Sequence, residues 1–327
     1  MAGLNWAVLG TGVIANEMAS ALRAMGRNLY AVGSRTPEKA RAFAEAYGAP
    51  KYYSDFHDMF SDPGVDVIYL ATPHNTHIGF LEQALSHGKH VLCEKSITLS
   101  SAELSRAEAL AQAHGAVLAE AMTIYHMPLY KQLVRRAQAG EFGRVNLVQT
   151  NFGSCKDYDM SNRFFNKALA GGAMLDIGVY ALSLTRLFLS SRPDRVKSLV
   201  GYAPSGADEV SGIVMMNPEG QLATATLSLH SKQPKRAVIS CDRAYIEIME
   251  YPRADEATIV WTDSGARETV RAGDRAQALR YELEDMEAAV PGGGDGMHLS
   301  LTRDVMHLMS SIRRDWGMYY ENETTLL

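Results

Sequence analysis

Three short stretches of this 327-residue chain bring together residue types that chemistry requires. The first is Gly10-Thr11-Gly12-Val13-Ile14-Ala15, directly after the apolar run "LNWAVLG" and at the head of a helical pattern. A G-x-G-x-x-[GA] match gains meaning in that strand-to-helix context. Gly10 permits the tight turn, Gly12 lets backbone approach a pyrophosphate, and Ala15 keeps helix and sheet close, while the helix N-terminus favours the anion. Residues Gly10, Thr11, Gly12, Val13 and Ile14 are therefore the expected cradle of a dinucleotide. The second stretch is Glu94-Lys95, at the end of the apolar run "KHVLCE". A Lys buried there is costly unless it is paired or has a task. The third is Asp176 and Tyr180, four residues apart after Gly171-Gly172. On a helix beginning near Leu175 this spacing puts both on one face.

The residues after the second apolar run bear on which dinucleotide binds. An NAD site usually carries an acidic residue roughly 20 positions beyond the glycines, where it binds the ribose hydroxyls. Here that place reads "VGSRTPEK", with Ser34 and Arg35 where the acid would stand and Glu38 only after Pro37. A hydroxyl and a guanidinium suit a 2′-phosphate, so NADP(H) is favoured over NAD(H).

Two kinds of pattern must position these residues. Before residue 122, short apolar runs ("LNWAVLG", "LYAVGS", "VDVIYLAT", "KHVLCE", "AVLAEA") alternate with amphipathic helical segments. That alternation predicts a parallel sheet covered on both faces. After a helix at about 128–140, strand patterns follow closely at 143–153, 196–203, 210–216, 222–230, 236–242, 244–250 and 256–262. Turns such as "NPEG" join some of them as hairpins, which predicts a large, mostly antiparallel sheet with one open face. Helices at about 177–190, 276–289 and 298–314 are expected on its other face. The expected domains are 1–121 and 122–327, and "PGGGDGM" (291–297) reads as a helix-to-helix loop.

Composition excludes several function classes. Apolar residues make up 46% and charged residues 21%, with a net charge of -5, so there is no electrostatic footprint for nucleic acid or an anionic membrane. No run of 18 or more apolar residues occurs, and the N-terminus lacks the basic region of a signal peptide. Cys93, Cys155 and Cys241 are odd in number and widely spaced, which suggests reduced thiols and a cytoplasmic location.

Four landmarks in order, the GTGVIA turn, "ATPHNTH" (71–77), "CEKS" (93–96) and "GGAMLDIGVY" (171–180), give the chain a resemblance to a known family. It resembles the glucose–fructose oxidoreductase / inositol dehydrogenase / MocA family over essentially its whole length, and in particular the dimeric dihydrodiol dehydrogenase branch. The resemblance implies an α/β fold: an N-terminal doubly wound Rossmann domain and a C-terminal α+β domain with a large open sheet. It implies a small-molecule substrate above the nicotinamide between the domains, and a homo-oligomer, dimer or tetramer, formed through that sheet. It also implies that Lys95 handles the proton during hydride transfer, since Glu94-Lys95 matches the family's Glu-Lys-Pro. A cation near the oxygen favours developing alkoxide, and a Lys with a depressed pKa can act as base. Ser96 replaces the motif's proline, which loosens the expected backbone constraint around Lys95.

The same resemblance assigns Asp176 to hold or tune Lys95 and Tyr180 to hydrogen-bond the reacting oxygen. Thr72, Pro73, Asn75, His77, Glu94 and Lys95 join the cofactor site, with His77 in the place of a cofactor-contacting histidine; Asn75 could equally cap the following helix. Tyr125, His126, Arg163, Phe164 and Tyr180 are candidates to line the substrate cleft, and residues 154–169 read as a loop over it. His74-x-x-His77 lacks a third ligand, so no metal is expected. The leading expectation is an NADP(H)-dependent oxidoreductase acting on a secondary alcohol or carbonyl of a sugar, polyol or cyclic diol. A redox-inactive NADP-binding sensor, or a glycosidase using bound nicotinamide transiently, are the alternatives.

Overall fold

The computed structural model describes residues 3–294, 296–320 and 323. The chain forms two compact units: Met1–Ala121 with Leu279–Leu299, and Met122–Ala278 with the segment from Ser300. The chain thus leaves the first unit after Ala121 and returns to it for a single helix, a return that the expected 122–327 domain does not contain.

In the first unit, β1 (Trp6–Leu9), β2 (Leu29–Gly33), β3 (Lys51–Tyr53), β4 (Val67–Leu70), β5 (His90–Glu94) and β6 (Leu118–Ala121) form a parallel sheet in the order β3-β2-β1-β4-β5-β6. Every residue of β1 and β4 is buried, the near-continuous apolar character of a sheet covered on both faces. Helices α1 (Val13–Ala24), α2 (Pro37–Tyr47), α3 (Phe56–Ser61), α4 (His77–Ser86) and α5 (Ser101–His114) link the strands. The order reverses beside β1, so the turns after β1, β4 and β5 stand next to one another at the carboxyl edge, where ligands bind in open α/β sheets. The strand β3 escapes a pattern reading because it is only three residues long and exposes Lys51 and Tyr52.

The second unit opens with α6 (Thr123–His126) and α7 (Pro128–Gln138). Its sheet contains β7 (Val145–Gly153), β8 (Arg195–Tyr202), β9 (Asp208–Met216), β10 (Leu222–Ser228), β11 (Gln233–Cys241), β12 (Ala244–Met249), β13 (Glu256–Trp261) and β14 (Arg267–Arg271). The order is β14-β13-β12-β11-β7-β10-β9-β8. Neighbours are antiparallel except for β7 and β10, which run parallel. The polar edge strand β14, "RETVR", carries too little apolar signal to stand out in the sequence.

Two helical expectations need correction. The helix over Ala278–Ala289, α9, covers the first sheet and not the second: Leu279, Leu283 and Met286 share a core with Trp6, Leu22 and Leu29. Trp6 Nε1 also donates to Glu287 Oε1 at 3.3 Å. An apolar stripe announces that a helix will be buried, but not which sheet it will cover. The helix expected at 177–190 starts earlier, with a π turn over Met174–Gly178 that runs into α8 (Val179–Phe188). An 18-residue window within Lys167–Phe188 is apolar enough to cross a membrane, with a mean hydropathy of 1.4, yet 78% of that window is buried within the fold, as befits a core segment. A last helix, α10 (Leu299–Asp315), belongs to the second unit. Cys93, Cys155 and Cys241 are all free thiols.

The Asp62-Pro-Gly turn ties the edge strand β3 to the first unit. Asp62 Oδ2 accepts from Lys51 Nζ at 2.7 Å and Tyr53 OH at 2.6 Å, and Oδ1 accepts from Gly64 N–H at 2.8 Å. Burial opposes the charge, but these three donors outweigh it and hold the carboxyl well below the usual range. Lys51 reaches Asp62 from solvent, so screening leaves a net contribution of about 1 kcal/mol. A depressed folded-state pKa stabilises above the unfolded value of about 4 and loses that contribution as pH falls through the folded value. Asp62→Asn is therefore expected to cost about 1 kcal/mol in urea unfolding at pH 5 to 8. The gap between variant and parent should narrow below about pH 4; a gap that stays constant there would rule out ionisation as its source.

Candidate active site

The glycine turn of the first unit is built for close approach. Gly10 has φ +113°, and a Cβ there would lie 2.5 Å from the carbonyl oxygen of Ala71, at the end of β4. Gly12 is the N-cap of α1; nothing lies within 4 Å of where its Cβ would be. The helix start has neither a side-chain cap nor an acidic residue in its first turn, and Val13 is 80% exposed. Open first-turn N–H groups with room in front of them fit the pyrophosphate of a dinucleotide. Ser34 and Arg35 follow β2, Arg35 exposed and Ser34 partly so. Ser34 N–H donates to Tyr53 O at 3.0 Å, and no carboxylate stands in this turn.

The turn after β4 carries Thr72, Pro73 and a 3-10 turn over His74–Thr76. Thr76 Oγ1 bonds Thr72 Oγ1 at 2.8 Å and Pro73 O at 2.7 Å, closing the turn on itself. Asn75 does not cap α4, whose N-cap is Thr76. Among the described residues its Oδ1 is buried without a hydrogen-bond partner, an orphaned acceptor that a bound cofactor could satisfy.

His74 and His77 serve the neighbouring turn. His74 Nε2 lies 2.9 Å from the carbonyl oxygen of Lys95. His77, fully buried, has Nδ1 at 3.0 Å from Ser96 O and 3.2 Å from Ile97 O, and Nε2 at 2.8 Å from Thr72 O. Both its ring nitrogens are thus turned to backbone, so His77 joins the turns after β4 and β5 instead of presenting a nitrogen to a ligand. Burial pushes its pKa down against the pull of those carbonyls. A neutral ring donates from one nitrogen only, so in either tautomer one side alone receives its hydrogen bond.

Lys95 is therefore held by its backbone. Glu94 Oε1 accepts from Tyr69 OH, and Glu94 Oε2 accepts from Lys95 N–H at 3.3 Å. The Lys95–Ser96 peptide bond is cis. Beyond it, Ile97 N–H donates to Glu120 Oε1 at 3.1 Å and Leu99 N–H to Glu103 Oε2 at 2.8 Å. Ser100 Oγ caps α5 by accepting from Glu103 N–H. The loosening expected from Ser96 in place of proline is thus answered by side-chain anchors on both sides of Lys95. Pattern reading missed Tyr69 and Glu120 as members of this site and weighed His74 only as a metal ligand; the signal for the first two was a polar group set inside an apolar run.

In the second unit, Asp176 sits in the π turn and Tyr180 in the first turn of α8. Between residues 171 and 185 these are the only positions that are not buried. The Tyr180 ring is 6.0 Å from that of Phe152, which meets Tyr251 edge-on at 6.1 Å. Tyr125 and His126, in α6, are both buried. Arg163 is exposed and Phe164 partly so, with Lys156 Nζ 4.1 Å and Arg163 Cζ 4.3 Å from the Phe164 ring centroid. The segment from 154 to 169 contains no strand, and its one regular element is a 3-10 turn at Lys167–Leu169.

Comparison with known proteins agrees with this fold. The family model described as "Oxidoreductase family, NAD-binding Rossmann fold" matches residues 4–122, and the "GFO/IDH/MocA C-terminal domain" matches residues 130–247. The chain is similar to trans-1,2-dihydrobenzene-1,2-diol dehydrogenase of Mus musculus, 28% identical over 253 residues, 76% of this chain and 75% of that one. Its fold is similar to that of a 3-ketoreductase from Actinomadura kijaniata solved with NADP and TDP-benzene, at a TM-score of 0.82 and 20% identity, covering 95% and 97% of the two chains. It is similar also to levoglucosan dehydrogenase in complex with NADH and levoglucosan, at a TM-score of 0.83 and 19% identity, covering 94% and 97%. Matched in order by both domain models, the chain belongs to the GFO/IDH/MocA family of NAD(P)-binding oxidoreductases.

Proposed function

We propose that the protein is an NADP(H)-preferring oxidoreductase that interconverts a secondary alcohol and a carbonyl on a sugar, polyol or cyclic diol. What carries this reading is an exposure pattern after Gly172: from residue 171 to 185 a buried stretch opens at Asp176 and Tyr180 alone. A buried stretch has no packing reason to put a carboxylate and a phenol at the two places where it opens.

The nicotinamide, when bound, supplies or accepts the hydride. The chain's own task is then the proton and the oxygen. Lys95 donates a proton to the oxygen during reduction and accepts it during oxidation, its ammonium stabilising negative charge that develops there. Asp176 tunes the Lys95 proton, and the Tyr180 hydroxyl hydrogen-bonds the reacting oxygen. Gly10, Thr11, Gly12, Val13 and Ile14 hold the pyrophosphate, while Thr72, Pro73, Asn75 and Glu94 shape the adjoining edge. His77 acts there through the backbone. Tyr125, His126, Arg163 and Phe164 remain the candidates for substrate contact. The names of the diol dehydrogenase, the 3-ketoreductase and levoglucosan dehydrogenase support an alcohol–carbonyl interconversion on such a substrate.

Support for NADP(H) comes from Ser34 and Arg35 in the turn after β2 and from the absence of a carboxylate there. The ketoreductase was solved with NADP and the levoglucosan enzyme with NADH, so the fold accommodates either and the choice is local. For the assembly we propose a homo-oligomer, dimer or tetramer, formed through the second sheet. On β8 and β9 that sheet leaves Leu199 82%, Val214 48% and Val210 45% exposed, an apolar patch that calls for a cover.

Three experiments test this reading. Following reduced-nicotinamide absorbance against a panel of carbonyls, sugars and diols should reveal turnover, and Lys95→Met should lower it by about 100-fold or more with little change in cofactor affinity. Turnover retained in that variant would remove Lys95 from its role; no turnover in the parent with any substrate would favour the redox-inactive sensor. Arg35→Ala should weaken NADPH binding by about 10- to 100-fold, the worth of a charge-assisted phosphate contact, and leave NADH binding nearly unchanged. Equal losses for the two cofactors would refute the 2′-phosphate assignment. Leu199→Lys should shift the species seen by light scattering toward monomer, and an unmoved mass would place the interface elsewhere.

A further inference from the structure

The helix that carries Asp176 and Tyr180 begins at Ala173, and its first N–H groups have no acceptor within the helix. Gly171 and Gly172, which precede it, offer no side chain to cap them. The acceptor comes instead from a distant strand. Asp208, the first residue of β9, takes the Met174 N–H on Oδ2 at 2.6 Å, and the nearby Ala173 N–H also favours its ionised form. Gly172 has φ +140°, and a Cβ there would collide with Asp208 Oδ1. The carboxyl therefore reaches the helix start only because position 172 lacks a side chain. A second contact secures the same place, since Tyr320 OH donates to Gly171 O at 3.0 Å. Arg313 lies over the Tyr320 ring, with Cζ 4.8 Å from its centroid, and pairs with Glu323 at 2.7 Å.

We propose that Asp208 is a positioning residue for the reaction, a helix cap supplied by β9 that fixes the π turn and with it the aim of Asp176 and Tyr180. The proposal rests on the reading of Asp176 and Tyr180 as catalytic groups. Asp176 is three residues beyond Ala173, so it lies within the turn that the carboxyl holds. Displacing a catalytic group by about 1 Å can cost about 100-fold in rate.

The cap is also a charge. Asp208 is fully buried, and among the described residues its Oδ1 has no hydrogen-bond partner. Burial pushes the carboxyl up to about 7, against the backbone N–H groups of Met174, Asp208 and Ala173 and the charge of Arg313, which favour ionisation. The other titratable groups around it are Tyr202 from β8 and Tyr320, with Glu323 held on Arg313. The ionised form is the stronger acceptor for the Met174 amide. Catalysis should therefore strengthen as pH rises through the region of 7.

The test uses the full chain with Asp208→Ala, which removes the acceptor, and Asp208→Asn, which keeps an oxygen but cannot ionise. Asp208→Ala is expected to lower kcat by about 100-fold, with NADPH affinity unchanged and KM nearly so. Amides of 173–180 should exchange hydrogen about tenfold faster, while peptides of the first unit keep their protection. Asp208→Asn, fixed at the weaker acceptor strength of a neutral oxygen, should give a kcat between those of the alanine variant and the parent and lose the rise with pH near 7. Should the alanine variant fail to fold, the pH profile of Asp208→Asn decides alone, and a profile identical to the parent's overturns the proposal. Normal kcat with unchanged protection at 173–180 in Asp208→Ala overturns it as well. Absence of turnover in the parent would instead overturn the reading of Asp176 and Tyr180, and with it the catalytic purpose of the cap, while the exchange measurement still reports whether the cap exists.

Discussion

Irregular backbone buried at the carboxyl edge of the first sheet must have its polar groups satisfied, and the site depends on how that is done. From Ser96 to Ser100 every residue is buried, yet none lies in a strand or helix. No ladder or helix supplies partners there, so side chains must. His74 takes the carbonyl of Lys95, His77 those of Ser96 and Ile97, Glu120 the N–H of Ile97, and Glu103 the N–H of Leu99. Leaving any one buried group unmade costs about 1–3 kcal/mol. Few conformations satisfy them all at once, and the one that does presents Lys95 at the sheet edge.

The sheet order explains why those partners are within reach. Because β4 lies between β1 and β5, the turn after β4 touches the glycine turn on one side and the Lys95 turn on the other. Ala71 stands against Gly10, and His74 and His77 stand against residues 95–97. One loop thereby sets the spacing between the glycine turn and the backbone of Lys95. Histidine suits this task, since a buried neutral ring can donate to a carbonyl on either side without bringing in a full charge.

The parts of the molecule legible in the sequence are those whose cause is local. The glycine turn shows because only glycine tolerates φ +113° with Ala71 O so close. The parallel sheet shows because β1 and β4 are apolar throughout, and the start of α5 shows as a Ser100-x-x-Glu103 box. Lys95 stands out as a charge at the end of a buried strand. What stays hidden has distant causes. The stripe on α9 reads the same whichever sheet it covers, and it covers the one formed more than 150 residues earlier. The exposed "KYY" of β3 and the polar "RETVR" of β14 become strands because a neighbour offers free backbone groups. Asn75 looks like a cap, yet Thr76 holds that place. Nothing near Asp208 in sequence hints that it serves a helix start 34 residues upstream.

Both units solve one problem in different materials. A group that moves a proton must be open to its substrate, and an open side chain on loose backbone wanders. In the first unit the remedy is a turn gripped by side chains from β4, β6, α4 and α5; in the second it is a helix whose start is gripped by β9. In each the gripping groups, such as His77, Glu120 and Asp208, are buried, while Lys95, Asp176 and Tyr180 keep partial exposure. Aim and contact are therefore carried by separate residues. An exposed position such as Arg163 can change at little cost to the fold, whereas a change at a gripping residue alters the backbone and with it the aim of Lys95, or of Asp176 and Tyr180. On the roles proposed above, that separation lets the buried anchors fix the aim of Lys95, Asp176 and Tyr180 while the exposed residues around them differ without disturbing it.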